Sequence, residues 1–169
     1  VAMSVHSTDR QVDLVREGYD LAIRLGVLAD SSLKTRRIGT FERFLVASPD
    51  AIGRMDPIRS LDDLAKADFI TYAMLPDRLT LRNGKEDAAI TPENVRIEVS
   101  SISAGREAAL AGLGILNLHE SEIKDDLAVG TLVEVLPKWK LPTLGGYAVW
   151  PDTGAEKRLT KRLIEFLVD

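Results

Sequence analysis

The 169-residue chain predicts an α/β fold, because strand-like segments alternate with helix-like segments from one end to the other. Apolar residues make up 45% of the chain and charged residues 28%, which is the mixture of a globular protein with a sizeable core. Cysteine is absent, so the fold has no disulfide framework to rely on. The alternation favours a largely parallel sheet.

The first fifty residues predict three strands and a helix. The abrupt apolar start predicts a strand over residues 1–6. Thr8 and Gln11 have the spacing of a capping box, and Gly18 would end the helix that follows. The other expectations are a strand at 21–25, a polar connection at 27–40, and a strand at 41–47 that ends before Ser48-Pro49.

The rest of the chain continues the alternation. Ser60 and Asp63 predict a capped helix that ends near Ala67. Asn83-Gly84 favours the positive φ angles of a hairpin turn. Strands are expected at 69–73, 95–99, 114–118, 132–135 and 144–150, and helices at 103–110, after 119 and at the C-terminus, where Leu159, Leu163, Phe166 and Leu167 form the predicted apolar face.

Charge and hydropathy exclude several function classes. The net charge of -4 argues against nucleic-acid binding by this chain. Acidic residues interrupt the basic clusters at 36–37 and 157–162, so we expect these clusters to be solvated faces. No apolar run approaches the roughly 20 residues of a membrane span, and no leader pattern is visible, so we expect a cytoplasmic protein.

The residues give no catalytic set. His119, Glu120 and Glu122 lack metal-site spacing, so a surface helix start is the better interpretation. The adjacent carboxylates at 62–63 and 125–126 do not face each other on a helix, so they form no acid–base pair. We therefore expect no enzyme, no cofactor and no metal.

The segment Ser7–Gly26, STDRQVDLVREGYDLAIRLG, resembles the effector-binding domain of LysR-type transcriptional regulators. The resemblance continues in order through most of the chain. Its further segments are 44–50, 60–64 with 68–70, 106–115, and 126–132 with 136–139.

The resemblance implies a two-lobed fold of the type 2 periplasmic-binding-protein class, with the effector in the cleft between lobes. Lobe one would comprise residues 1–46 with 143–169, and lobe two residues 47–142. Members also carry a winged helix-turn-helix, a linker helix, and the first strand and helix of lobe one. These would precede Val1, so we expect an incomplete first lobe, and DNA bound only through that missing N-terminal domain.

Candidate effector contacts come from two sources. Ligands of open α/β sheets bind beyond the carboxyl ends of strands, where helix N-termini offer N–H groups to a carboxylate. The resemblance adds Arg24 and Gly26, because its loop at 23–26 borders the cleft. Plain helix capping remains the alternative for Thr8 and the serines, and a surface strand position for Arg24. The helix-start candidates are Ser7, Thr8, Ser100, Ser101 and Ser103.

The resemblance implies a homodimer or a higher homo-oligomer that senses a small metabolite, a carboxylate or an aromatic acid. Its partner surface would involve residues 11–17 and 103–113. The sequence departs from the family pattern at 116–120 and at Ser100-Ser101, so the identity of the effector does not carry over. A solute-binding protein of a transport system with the same fold is the alternative function.

Overall fold

The computed structural model describes residues 2–26, 28, 32–73, 78–152 and 158–168. The chain forms two compact units, a larger one of residues 1–9 with 42–142 and a smaller one of residues 10–41 with 143–169. The helices are α1 (Leu14–Glu17), α2 (Pro49–Arg54), α3 (Leu61–Lys66), α4 (Ile102–Leu110), α5 (Glu120–Val129) and α6 (Arg158–Val168). The strands are β1 (Ala22–Leu25), β2 (Leu33–Phe41), β3 (Arg43–Ala47), β4 (Asp68–Tyr72), β5 (Leu79–Asn83), β6 (Glu86–Ile90), β7 (Asn94–Val99), β8 (Leu116–His119), β9 (Val133–Glu134) and β10 (Leu144–Pro151).

The predicted lobes, 1–46 with 143–169 and 47–142, stay a prediction, and the compact units differ from them in two segments. Residues 42–46 belong to the larger unit because β3 pairs with β8 and β9. Residues 1–9 also belong to it, and the Asp9 carboxylate accepts a hydrogen bond from the backbone N–H of Ile102.

The larger unit buries both faces of its central strands. Its sheets are ordered β8-β3-β9, β4-β7 and β5-β6. Leu45 and Val46 are successive residues of β3, yet they pack into two different apolar clusters. The same division separates Phe69 from Ile70. Because successive side chains of a strand point to opposite faces, this pattern indicates strands covered on both sides.

The smaller unit is a three-stranded antiparallel sheet, ordered β1-β10-β2, with α6 packed against β2. Ala148 and Trp150 of β10 form one buried cluster with Ile164 of α6. Ile23 and Leu25 of β1 stay 47% and 38% exposed. This unit therefore buries less of its apolar surface than the larger one.

The predicted start of the chain is wrong in two respects. Residues 2–8 form no strand and are exposed. The first helix begins at Leu14 rather than near Thr8, because Asp13 is its cap and accepts hydrogen bonds from the N–H groups of Val15 and Arg16. The end of that helix is confirmed: Gly18 has φ +75, a left-handed conformation that favours glycine.

Two further expectations are wrong. The part of the predicted polar connection from Leu33 onward is the strand β2, which lies at the edge of its sheet and keeps most of its polar side chains exposed. The sheets are mostly antiparallel rather than parallel, since β10 runs against both of its neighbours and β3 against both of its own. Only β4 with β7 and the bridge between Phe69 and Ile115 are parallel among the described pairs.

Other local predictions are confirmed or partly corrected. Ser60 and Asp63 form a capping box, and Gly84 has φ +60 in the turn between β5 and β6. The apolar face of the last helix is partly wrong. α6 buries Thr160 and Ile164, whereas Leu159 and Phe166 are 54% and 77% exposed.

Candidate functional site

The start of α4 already holds a carboxylate. Ser101 caps the helix in an extended conformation, and its hydroxyl oxygen lies 3.1 Å from the Ala104 nitrogen that donates to it. The Ile102 N–H donates to Asp9 Oδ2 at 3.0 Å. Helix N-termini attract anions because their first N–H groups lack partners within the helix. The larger unit therefore satisfies one of these donors with its own side chain.

Tyr72 places a buried hydroxyl against the same helix. It ends β4, and its oxygen would lie 3.0 Å from a Cβ placed on Gly105 of α4. This oxygen has no hydrogen-bond partner among the described residues. Burial raises the pKa of Tyr72, and the negative charges of Asp9 and Glu122 raise it further. The group therefore stays a neutral hydroxyl that can donate a hydrogen bond.

The end of β8 adds a buried imidazole. His119 is 8% exposed, and its Nδ1 lies 2.8 Å from the hydroxyl oxygen of Ser121. Burial lowers the pKa of His119, although the nearby charges of Glu122 and Asp9 oppose that effect. On the same strand, Asn117 Oδ1 is buried without a hydrogen-bond partner in the described part of the chain. The described residues contain no group that could hold a metal ion.

Five of the sequence-predicted contacts lie in the larger unit. Ser101 is the cap of α4, while Ser100 and Ser103 are exposed on either side of it. Ser7 and Thr8 are exposed in the segment that ends at Asp9. The observed hydrogen bond of Ser101 is capping, so its role toward an effector stays a prediction, as do those of the other four residues.

The other two predicted contacts lie in the smaller unit. The Arg24 guanidinium donates to the backbone oxygen of Val12 at 2.7 Å. Gly26 has φ +93, and its N–H donates to the backbone oxygen of Gly145 at 2.9 Å. Both residues fix the course of β1, and a role toward an effector stays a prediction for each.

Sequence reasoning missed Asp9, Tyr72 and Asn117. Asp9 directly follows the candidate contacts Ser7 and Thr8. An acidic side chain next to a predicted helix start is a signal that could have identified it. Tyr72 and Asn117 gave weaker signals, because a polar side chain near the end of an apolar strand is common. The sequence predicts a surface helix start at His119. His119 is the N-cap position of α5, but it is a buried residue without a side-chain capping bond.

A shallow cavity of about 280 Å³ lies at the other end of α4. Its lining includes Arg54, Arg96, Asp68 and the turn at 111–114. The Arg54 guanidinium donates to the Gly112 backbone oxygen at 2.6 Å and pairs with Asp50. The charged lining side chains are two arginines and one aspartate, and the cavity does not include the start of α4.

Comparison with known proteins decides the family. The family model described as the LysR substrate binding domain matches residues 1–169. The chain belongs to this family. The resemblance in the sequence is thereby confirmed.

Curated relatives of this LysR-family chain are transcriptional regulators. It is 30% identical over 154 residues to the HTH-type transcriptional regulator PtxR of Pseudomonas aeruginosa, covering 90% of this chain and 49% of the relative. It is 31% identical over 164 residues to the HTH-type transcriptional regulator DmlR of Escherichia coli, covering 94% and 52%. The chain thus spans about half the length of these relatives. The alternative of a solute-binding protein of a transport system is wrong, because these relatives are regulators.

Solved structures agree on the fold. The regulatory domain of AphB from Vibrio vulnificus superposes with a TM-score of 0.74 at 27% identity, covering 98% of this chain and 81% of that one. The regulatory domain of CrgA, a LysR-type regulator from Neisseria meningitidis, gives a TM-score of 0.78 at 22% identity, covering 91% and 76%. The predicted α/β fold of the type 2 periplasmic-binding-protein class is confirmed. Within the described residues, no helix is both long and apolar enough to cross a membrane.

Proposed function

We propose that this chain is the effector-binding and oligomerisation region of a longer LysR-type regulator, and that its effector is a small carboxylate or aromatic acid. Family membership over residues 1–169 supports the regulatory role. A regulator of transcription acts where DNA is, so the proposal includes a cytoplasmic location. It also includes the absence of catalysis, in keeping with a family of regulators.

The hydrogen bond between Asp9 and Ile102 is the observation that carries the choice of ligand. It brings a carboxylate oxygen to 3.0 Å from the first N–H of α4. Charge-assisted bonds of this kind are stronger than neutral ones, and the helix dipole favours the negative group. An effector carboxylate would have the same preference for this N–H, and it would compete with Asp9 for it. Ser101 would keep the helix start in place during the exchange.

A ligand bound at the start of α4 could affect the predicted partner surface through this helix. The predicted partner surface at 103–113 includes nearly all of α4, whose first N–H is the proposed ligand contact. Binding changes an equilibrium between subunit arrangements only when the ligand has different affinities for them. We therefore propose that a homodimer or higher homo-oligomer responds to the effector through the position of α4.

The test is a titration with a charged probe and its neutral analogue. Benzoate and benzamide have the same ring, but only benzoate carries a carboxylate. Nitrogen-resolved NMR of the labelled chain would follow the Ile102 amide, and thermal unfolding would follow stability in parallel. Benzoate is expected to move the Ile102 resonance saturably and to raise Tm, because a ligand that binds the folded state stabilises it. Benzamide is expected to do neither.

The variant Asp9→Asn separates competition from binding. The amide oxygen can still accept the hydrogen bond but carries no charge, so benzoate is expected to bind about threefold to tenfold more tightly. Asp56→Asn is the matched control, since Asp56 is an exposed carboxylate in the loop before α3. Equal benzoate affinities in all three proteins would reject competition by Asp9. An Ile102 resonance that stays fixed in every protein would reject the carboxylate site itself.

A further inference from the structure

We propose that one side of the smaller unit binds the phosphate backbone of duplex DNA, contrary to the expectations from the net charge and from the family resemblance, which place DNA binding only in a preceding domain. The surface, called the basic side below, consists of five cationic side chains on two neighbouring elements. Its members are Lys34 and Arg36 of β2, and Arg158, Lys161 and Arg162 of α6. This proposal is independent of the proposed effector contact at the start of α4, because it rests on residues of the smaller unit.

Strand register puts the two cations of β2 on the side of the sheet that α6 covers. Lys34 lies opposite Trp150 and Arg36 opposite Ala148 in the antiparallel pair of β2 with β10. Residues directly opposite each other in such a pair project to the same face. Because Trp150 and Ala148 pack with Ile164 of α6, Lys34 and Arg36 project to the α6 side. Both are exposed there.

Helical spacing puts the three cations of α6 on one exposed face. Arg158 precedes Lys161 by three residues and Arg162 by four, which is the spacing of neighbours on a helix surface. All three are exposed, whereas the buried side of α6 is formed by Thr160 and Ile164. The cations of β2 and of α6, which are far apart in sequence, thus lie on two elements that pack together.

Two carboxylates reduce the charge of the basic side without cancelling it. Asp152 lies 3.0 Å from the ammonium group of Lys34. Glu165 is exposed on α6, four residues after Lys161 and three after Arg162. Among the described residues of this side, five cations against two carboxylates leave an excess of three positive charges in a chain whose net charge is -4. Positive charge is therefore concentrated here rather than spread evenly.

DNA is the partner that this surface fits. Phosphate contacts need exposed Lys and Arg side chains in a row but no base-specific geometry. The curated relatives are HTH-type regulators about twice as long as this chain, so a duplex is present next to such proteins at work. The basic side would contact the duplex beyond the segment held by a helix-turn-helix. An acidic protein surface is the competing partner, and the experiment below distinguishes the two.

The experiment measures binding of the 169-residue chain to a fluorescein-labelled duplex of arbitrary sequence by anisotropy, across a series of NaCl concentrations. The triple variant Arg36→Gln, Lys161→Gln, Arg162→Gln is expected to bind at least about tenfold more weakly at about 50 mM salt, and to lower the salt slope by about 2 to 3. The matched control is Arg59→Gln, Arg78→Gln, Arg96→Gln, which removes three exposed charges from the larger unit. It is expected to stay within about threefold of the wild type, because screening weakens distant charges.

Three outcomes would overturn the proposal. Wild-type anisotropy that does not rise at low salt means that the basic side does not hold DNA. An equal loss of duplex affinity in the control variant means that binding depends only on the net charge of the chain and not on the basic side. Binding of labelled poly-glutamate that is sensitive to the triple variant, together with no binding of the duplex, assigns the surface to an acidic protein instead. Circular dichroism of the variants checks that exposed Gln substitutions leave the fold intact.

Discussion

The two compact units differ in how completely they bury their apolar side chains. The larger unit has clusters on both faces of β3, and these clusters include Leu45 on one side and Val46 on the other. The described residues of the smaller unit form one small cluster, and Ile23 and Phe166 are 47% and 77% exposed. The candidate ligand contacts Ile102 and Tyr72, and the competing carboxylate of Asp9, therefore lie in the unit whose packing is more complete. A site that must hold a carboxylate within hydrogen-bond distance gains from such rigid support.

Matched core truncations give the largest expected effect. Leu116→Ala in the larger unit is expected to lower the free energy of unfolding by about 4 kcal/mol, because a fully buried leucine in a two-sided core leaves a cavity that cannot collapse. Ile164→Ala in the smaller unit is expected to cost about 2 kcal/mol, since its cluster has open sides. Urea unfolding measures both. Equal losses would contradict the difference in packing.

Ion pairs extend the same comparison. Arg106 binds both carboxylate oxygens of Asp126, which is 6% exposed and also accepts from Thr131. Asp126→Asn is expected to cost about 2 kcal/mol, less than a fully buried pair because Arg106 still reaches solvent. In the smaller unit, Asp152→Asn breaks the exposed pair with Lys34 and is expected to cost less than about 0.5 kcal/mol. A larger loss for Asp152→Asn in urea unfolding would reverse the ranking.

A smaller effect tests the start of α4. Ser101→Ala removes the hydroxyl that accepts from Ala104 and is expected to cost about 1 kcal/mol. Ser103→Ala is the matched control, because its exposed side chain makes no hydrogen bond that involves the cap, and a change within about 0.5 kcal/mol is expected. Thermal unfolding compares them. If both substitutions lower the stability equally, the Ser101 cap does not stabilise the start of α4.

The smallest expected effect is a dependence on pH through His119. Burial lowers its pKa in the folded state, so between that value and the ordinary one of about 6.5 the unfolded chain binds more protons. Stability from this residue is therefore complete above about pH 6.5 and decreases as the pH falls below it. Urea unfolding at several pH values is expected to show this decrease, and His119→Gln should make it shallower. An unchanged slope in the variant would assign the decrease to other groups.

Local signals in the sequence were sufficient where one short motif determines the structure. The capping box at Ser60 and Asp63 and the hairpin at Asn83-Gly84 are both present, because each depends on residues within one turn. The prediction of a polar connection where β2 lies was wrong, because no local signal in that segment indicates that β10 pairs with it along its whole length. The pairing of two strands that are about a hundred residues apart depends on the whole fold, so a local sequence pattern does not predict it.

The candidate site shows the same limit. The serines at the start of α4 could be found from capping chemistry, since Ser101 and the helix are adjacent in sequence. Asp9 could not be assigned to that helix, because 93 residues separate it from Ile102. The burial of Tyr72 and His119 also depends on neighbours from other elements. The family resemblance supplied the fold and the regulatory role, whereas these contacts required the three-dimensional structure.

The composition of β3 has a consequence for how its alignment is specified. Four consecutive residues, 44–47, are apolar, and both faces of the strand meet apolar clusters. A slip by one residue would exchange apolar side chains for one another, so the usual penalty of exposing a hydrophobic face is missing. Polar residues at the two ends of β3 supply this penalty instead. Arg43 donates to the backbone oxygen of Pro142 at 2.8 Å, and the buried Ser48 caps α2. The alignment of this strand, which is covered on both faces, is thus encoded in its first residue and in the residue that follows it.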